Sequence, residues 1–255
     1  MQHAARGGTR LGRWRDPPAP GEHVLDIGCG CGDSTQELSK RVAPDGTVTG
    51  VDVSSVMLAR ARERAGDDKR QRFLNHDAAS HTFDTPFDRA FSRFGVMFFD
   101  DPPAAFTNLA RALKPGAPIS FVCWREVADN AWVKVPMGVM RRHIEAPAEA
   151  PPSDAPGPFA FADGARVAAI LEAAGFIDIS IGAFDHTIQV GGPGTALDAT
   201  DFFMQQGPAS RLLNDADEAI LSAIRADLAG ELAPFERDGG VFLGAGCWLV
   251  GARAP

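Results

Sequence analysis

Between residues 24 and 34 the chain reads Val-Leu-Asp-Ile-Gly-Cys-Gly-Cys-Gly-Asp-Ser, and this stretch restricts the fold more than any other. A short apolar run carrying one acid ends in glycines at every second position, Gly28, Gly30 and Gly32. Asp33 and Ser34 follow, and both are residue types that cap helices. The physical reading is a buried strand, a tight turn and a helix N-terminus, with glycines where the backbone comes close to a ligand. The spacing D-x-G-x-G-x-G departs from the dinucleotide fingerprint G-x-G-x-x-G, whose third glycine comes one position later. Asp33 is also a poor neighbour for a pyrophosphate. The loop therefore favours a ligand with positive charge or hydroxyls over a dense anion.

From Glu22 onward, short apolar strands alternate with helices. Strands are expected at His23–Ile27, Thr47–Val51 (closing at Asp52), Gln71–Asn75, Phe87–Ser92 and Pro118–Trp124. Helices are expected at Asp33–Val42, from Ser54 or Ser55 to Ala65, and at Pro102–Leu113. This alternation predicts an α/β, Rossmann-like, doubly wound and mostly parallel sheet with helices on both faces. Residues 125–160 break the rhythm with repeated prolines and read as a cap insertion, helical over Val133–Ile144 and well placed to cover a ligand. Asp163–Ala174 then reads as a helix, and Phe176–Ile181 and Phe184–Val190 as strand on either side of a bulge at Gly182-Ala183. Ala199–Gln206 and Asp215–Leu232 read as helices of a second cap insertion near 191–240. Val241–Ala252 is a last strand, expected to pair antiparallel with the one from Phe176 and to complete a seven-stranded sheet. Residues 1–20 place Arg6, Arg10, Arg13 and Arg15 among glycines, followed by Pro17, Pro18 and Pro20, and read as a flexible arm before a domain over 21–255.

Composition narrows the function. With 255 residues, 45% of them hydrophobic, the chain can bury a full core as one domain. A formal net charge of −8 disfavours nucleic acid as a partner, since phosphate binding needs a basic face. The basic residues Arg60, Arg62, Arg64, Lys69, Arg70 and Arg72 read as a solvated helix face and its following loop. No apolar stretch approaches the roughly 20 residues of a membrane span. The N-terminus lacks the apolar core of a secretory signal, so a cytoplasmic protein is expected. Cys29, Cys31, Cys123 and Cys247 lie in apolar or glycine-rich stretches and read as small buried thiols rather than a zinc set. No His/Asp cluster has metal-ligand spacing, and no metal is expected.

Four stretches then occur in a particular order: VLDIGCGCGDS, VTGVDVSSVMLARA, FLNHDAA and FDRAFSRFGVMFFDDPPAAFTNLARALKPGAPISFVCW. Through them, over residues 22–125, the chain resembles the class I S-adenosylmethionine-dependent methyltransferases, in their small-molecule, UbiE-like (type 11-like) branch. The resemblance implies that Asp26, Gly28, Cys29, Gly30 and Gly32 form the loop under the methionine end of S-adenosylmethionine. It implies that Asp52 accepts hydrogen bonds from both ribose hydroxyls, a charge-assisted arrangement. Val53 and Met57 would pack on the adenine, Asp77 would accept from its exocyclic amine with Ala78 alongside, and Ser92 and Arg93 would complete the cofactor site. A cation bound near Asp26 and Asp33 is electrostatically favoured. Helix-capping or turn roles for Asp52 and Asp77, and a core role for Met57, stay open at this point.

The activity implied is in-line methyl transfer to O, N or C of a small acceptor, leaving S-adenosylhomocysteine, with positioning providing much of the acceleration. The Asn-Pro-Pro-aromatic element of enzymes that methylate planar amide nitrogens is absent. Phe94, Met97, Phe98, Trp124 and Trp132 offer an apolar, aromatic wall suited to a hydrophobic or aromatic acceptor. A base is needed only where the acceptor loses a proton. His76, Arg93, His143 and His186 are the candidates, with Asp185 and Glu126 behind them, and none is assigned. Members of this branch carry helices before strand one. Here only about twenty unpatterned residues precede Glu22, so the expectation is either a truncated or misassigned start or a lid formed instead by the insertion at 125–160 and the helices at 199–236. The oligomeric state is open and includes a homodimer. Two other readings stand: a binding protein of the same fold without turnover, and an NAD(P)-dependent oxidoreductase, against which the early third glycine and Asp33 both speak.

Overall fold

The computed structural model describes residues 17–144, 155–206, 210–213 and 216–255. Strand β1 (His23–Ile27) is buried from Val24 to Ile27 and lies inside the sheet. It pairs in parallel with β2 (Thr47–Asp52) on one side and β4 (Arg89–Arg93) on the other. Further out, β3 (Gln71–Asn75) is parallel to β2, and β5 (Pro118–Trp124) is parallel to β4. The full order is β3-β2-β1-β4-β5-β8-β6, where β6 is Ile177–Pro193 and β8 is Gly240–Arg253. Strand β8 runs antiparallel to β5, in register from Pro118↔Arg253 to Trp124↔Cys247. The expected seven-stranded, mostly parallel sheet with an antiparallel last strand is therefore present. A two-residue eighth strand, β7 (Glu236–Arg237), pairs with β8 off this path and is too short to leave a sequence period.

Helices cover both faces of the sheet. Their starts follow from local chemistry. Helix α1 spans Asp33–Val42. In α2 (Ser55–Ala65) the Ser54 hydroxyl accepts from the Met57 amide at 3.3 Å. In α3 (Pro102–Arg111) Asp101 accepts from Ala104 at 3.1 Å ahead of a proline-led first turn. Asp163 caps α5 (Gly164–Ala173), and Asp217 caps α7 (Glu218–Leu232). Helix α6 (Ala196–Gln205) starts earlier than the expected Ala199, because Thr195 and Asp198 form a reciprocal capping box. Helix α4 (Ala131–His143) tolerates Pro136 in its interior.

Two further boundaries differ from expectation. Strand β4 begins at Arg89 rather than Phe87, and Phe87 instead makes a single bridge to Leu113, just beyond α3. Strand β6 is one continuous strand with no break at Gly182-Ala183. A Cβ on Gly182 would meet nothing within 4 Å, so that glycine marks no close approach. Residues 1–16 of the expected arm and 145–154 of the first insertion lie outside the described residues, while Pro18 is already buried.

The chain divides into two compact units. The larger contains residues 17–125, 155–184 and 247–255 among those described. Its core centres on Phe106, Phe121 and Phe161, all at most 1% exposed. It also holds an ion pair that periodicity does not reveal: Arg89, 3% exposed in its side chain, donates to both oxygens of Glu22 at 3.0 and 3.2 Å. The smaller unit contains 126–144 and 185–246 among the described residues. There, the buried Asn130 side chain accepts from the Gly246 amide and the Trp132 indole and donates to the Gly246 and Glu126 carbonyls. Helices α4 and α7 are bridged by Arg142–Glu231 at 3.0 Å and His143–Asp227 at 2.9 Å. Among the described residues, no helix is long and apolar enough to cross a membrane.

Candidate active site

Asp26 sits near the end of β1 and is completely buried. Its Oδ2 accepts from the Ser34 hydroxyl at 2.8 Å and the Thr35 hydroxyl at 2.6 Å. Ser34 is thereby committed to Asp26, and neither it nor Asp33 caps α1. The capping position is Gly32, in left-handed conformation and without a side-chain hydrogen bond. The other oxygen, Asp26 Oδ1, is buried without a partner. Burial pushes the Asp26 carboxyl up to about 6, against the lowering effects of the two hydroxyls and the Arg93 charge.

This has a measurable consequence in the ligand-free protein. The unfolded chain releases the Asp26 proton near the ordinary carboxylate value of 3.8, whereas the folded chain keeps it to about 6. Between those values the folded state binds more protons, so this group's contribution to stability falls as pH rises and levels off above the folded value. Asp26→Asn is expected to gain stability relative to wild type across that window. Thermal melts of both proteins at pH 4 and pH 7 test it. A gap between them that does not widen with pH would place the proton elsewhere.

Gly28, Gly30 and Gly32 all have positive φ, at 66°, 55° and 80°. Two of them also make room for protein rather than ligand. A Cβ on Gly28 would lie 2.7 Å from the Gly95 Cα, and one on Gly32 would lie 3.1 Å from the Ala61 Cβ. The expectation that these glycines serve ligand approach is corrected to that extent: they let the loop pack on the β4 turn and on α2. Cys29 is buried against β2, where a Cβ on Gly50 would meet its Sγ at 2.7 Å. Burial drives its thiol far above the ordinary range, so Cys29 stays neutral and contributes backbone to the loop. All four cysteines are free, and Cys31 is half-buried rather than buried as expected.

Asp52 closes β2 at 9% exposure. Its Oδ2 accepts from the Gly30 amide and its Oδ1 from the Ser54 amide, each at 2.8 Å. Both oxygens are thus aimed by backbone and retain acceptor capacity. Beside it, Val53 and Val56 are 70% and 80% exposed, and Met57 is half-buried. The Asn75 amide braces this turn by donating to the Asp52 and Val53 carbonyls. Asp77 is exposed, with Oδ1 accepting from Ala79 at 2.9 Å, and Ala78 is buried beside it. Asn108 on α3 holds that turn through the Ala78 and His81 carbonyls.

At the end of β4 the structure revises several assignments. Ser92 is fully buried; its hydroxyl donates to the Ile27 carbonyl at 2.8 Å and accepts from Gly95 at 3.2 Å. Its side chain is a brace for the glycine loop, not a ligand contact. Met97 is 1% exposed and belongs to the core rather than to an acceptor wall. Asp33 is not an open anion either. Arg64 on α2 pairs with it while also donating to the Cys31 carbonyl at 2.9 Å, and Arg93 Nη2 approaches it at 3.8 Å. The reading of Arg60–Arg72 as merely solvated is corrected at Arg64, and also at Arg62, which donates to the Phe73 carbonyl at 3.0 Å.

Phe94 has φ 61° and stacks on Trp124, with centroids 4.1 Å apart and planes at 11°. Phe98 is 50% exposed. Trp132 belongs to the smaller unit, where it is 8% exposed and its indole donates to Asn130. Among the candidate bases, only His76 and Arg93 lie in the larger unit; His76 is exposed and stacks on His81 at 4.2 Å. His143, bound to Asp227, and the exposed Glu126, Asp185 and His186 belong to the smaller unit. Val56, Arg64, Asn75 and Asn108 were not anticipated; only Val56 carried a signal, being one helical turn from the acid that ends β2. Among the described residues, no group of three or more His, Cys, Asp or Glu side chains is placed to hold a metal ion.

Residues 24–116 match the methyltransferase domain family. The demethylmenaquinone methyltransferase of Staphylococcus aureus is 37% identical over 100 residues, which are 39% of this chain and 42% of that protein. The chain thus spans less than half the length of the curated relatives it matches. Among solved structures, a phosphoethanolamine N-methyltransferase of Haemonchus contortus, in complex with phosphomonomethylethanolamine and S-adenosylhomocysteine, superposes with a TM-score of 0.54 at 20% identity, covering 94% of this chain and 50% of that one. The YcgJ protein of Bacillus subtilis superposes with a TM-score of 0.55 at 18% identity, covering 93% and 94%. At such identities these two likenesses concern the fold. Residues 24–116 are thus similar to the methyltransferase domain family, and they lie in a mostly parallel sheet of Rossmann-like order.

Proposed function

We propose that this protein is an S-adenosylmethionine-dependent methyltransferase acting on a small molecule. The observation that carries this reading is Asp52: a carboxylate at the end of β2, both oxygens fixed by backbone amides, flanked by exposed Val53 and Val56. Such a site suits a pair of neighbouring hydroxyls attached to a flat apolar base. The buried, unpartnered Oδ1 of Asp26 beneath the glycine loop fits a ligand that brings a cation or a donor. Bound S-adenosylmethionine supplies an electrophilic methyl group on a sulfonium that leaves as the neutral thioether of S-adenosylhomocysteine.

The chain's own residues then position. Asp52 takes the ribose, Val53 and Met57 cover the adenine, and Asp77 accepts from its amine beside Ala78. The stacked Phe94 and Trp124, with exposed Phe98, present flat apolar surface to the acceptor and support a hydrophobic or aromatic one. The Staphylococcus aureus relative, a demethylmenaquinone methyltransferase, points to a quinone-type ring, which fits that surface. No base is assigned, and none is needed for an acceptor that carries no proton on the attacking atom. The reading places one methyltransferase domain over 21–255, with cap insertions near 125–160 and 191–240, in the cytoplasm. The four free cysteines support that compartment. It takes a small acceptor and no nucleic acid, and admits a homodimer.

Calorimetric titration with S-adenosylmethionine, S-adenosylhomocysteine and NADH tests it. Micromolar binding of the first two and none of NADH is expected, followed by turnover of an acceptor found by mass spectrometry. Binding without turnover of any acceptor would favour a ligand-binding protein of this fold. NADH binding alone would overturn the cofactor.

A further inference from the structure

Gly95 lies just past β4, and its backbone does not call for glycine: φ is −93° and ψ −41°, a right-handed conformation open to any residue. Contact calls for it instead. A Cβ there would lie 2.7 Å from the Ile27 carbonyl oxygen, 2.9 Å from the Gly28 Cα and 2.9 Å from the Ser92 Oγ. Gly28 meets the same restriction from the other side, since its Cβ would come within 2.7 Å of the Gly95 Cα. Two facing glycines thus let the start of the glycine loop and the turn after β4 touch backbone to backbone. Ser92 closes the contact, its hydroxyl donating to Ile27 and accepting from Gly95.

Phe94 shows what this contact does. Its φ of 61° is a left-handed conformation that a bulky residue holds only where its surroundings impose it. On one side Gly95 is seated on the glycine loop, and on the other the Phe94 amide donates to the Val122 carbonyl of β5 at 3.0 Å. So held, the ring lies flat on Trp124. One strained residue therefore joins the loop assigned to the cofactor to the stacked rings assigned to the acceptor. In-line displacement needs attacking atom, methyl carbon and sulfur on one line, and small misplacements are costly in rate. Loop and rings must keep a fixed relation, and the Gly28–Gly95 contact is a direct backbone route between them.

We propose that Gly95 is a positioning residue: through Gly28 it seats the Phe94–Trp124 pair against the glycine loop, so that filling the cofactor site fixes the surface on which the acceptor lands. This rests on the proposed function and goes beyond it by joining its two halves at one residue.

Fluorine NMR of protein labelled with 5-fluorotryptophan reads this directly, with Trp124→Phe identifying the Trp124 line among the chain's four indoles. In the wild-type protein, S-adenosylhomocysteine is expected to shift that line with the same midpoint that calorimetry gives for binding. In Gly95→Ala the added Cβ displaces the strained Phe94 turn rather than the glycine loop, which β2 holds through the Val51 carbonyl and Asp52. The variant is expected to bind S-adenosylhomocysteine within about threefold of wild type while its Trp124 line no longer responds. Ser92→Ala removes the hydroxyl brace without adding atoms, and a reduced Trp124 shift is expected from it. A full shift in Ser92→Ala overturns the proposal should Gly95→Ala fail to fold. A merely structural role for Gly95 would lower the melting temperature and leave the Trp124 shift intact. A wild-type line that ignores the ligand, an undiminished shift in Gly95→Ala, or a folded Gly95→Ala that no longer binds would each overturn the proposal. The last would place Gly95 in the cofactor site itself. If the wild-type protein does not bind S-adenosylhomocysteine, the proposed function has failed.

Discussion

Asp52→Ala is expected to weaken S-adenosylmethionine and S-adenosylhomocysteine by at least about a hundredfold. Hydrogen bonds to a charged acceptor contribute about 1.5–3 kcal/mol each, and two ribose hydroxyls converge on this one carboxylate. The substitution also removes the acceptor that orients the Gly30 amide, so the glycine loop loses one of its ties to β2. Asp52→Asn separates the two effects. Its amide oxygen still serves one backbone N–H, while its NH2 cannot accept from a hydroxyl, so binding falls by an intermediate factor as the loop is better kept. Calorimetry gives both affinities. The ligand-induced rise in melting temperature gives an independent measure, since stabilisation follows the ratio of ligand concentration to dissociation constant. Binding of Asp52→Ala within about threefold of wild type would move the ribose away from β2 and remove the main support for the proposed function.

Asp52 was legible in the sequence because everything that makes it useful is local: an apolar strand, an acid at its end, and a serine that starts the next helix. The same holds for β1, α1, β3 and β5, whose bounds coincide with those expected from period and turn residues. Other roles were hidden because they are decided by distant partners. The Ser92 hydroxyl is spent on a carbonyl 65 residues earlier in the chain, and Asp33 is neutralised by an arginine 31 residues later. Trp132 sits on Asn130, which also bonds Gly246, 116 residues away from it. Sequence periodicity says that such residues are apolar or polar, but not whom they face. Met97 shows the same limit: an apolar residue after β4 suits a pocket wall and a core equally well, and only packing decides.

The larger unit's integrity rests on Phe106, and Phe106→Ala is expected to cost about 3–5 kcal/mol. The side chain is 0% exposed on α3. Its ring centroid lies 5.5 Å from that of Phe121, 6.2 Å from Phe161, 6.2 Å from Phe176 and 6.0 Å from Phe99. These partners come from β5, from either side of α5 and from the turn before α3, so a cavity here loosens several connections at once. Neighbours that are themselves rigid rings cannot collapse far into the space, which places the cost at the upper end of large-to-small changes. For a chain of this length the loss corresponds to a fall in melting temperature of roughly 6–20 °C. Phe106→Leu keeps most of the volume and should lose clearly less. The loss should appear as a lower denaturant midpoint at unchanged slope, because the surface exposed on unfolding is the same. The rings against Phe106 are those of Phe99, Phe121, Phe161 and Phe176, none of them assigned to the cofactor, so the variant that remains folded should bind S-adenosylmethionine with wild-type affinity. A cost below about 1 kcal/mol would show that the rings relax into the gap. A parallel loss of affinity in the folded variant would show that the glycine loop depends on α3, which couples the core to the site more tightly than the hydrogen bonds of Asn108 alone imply.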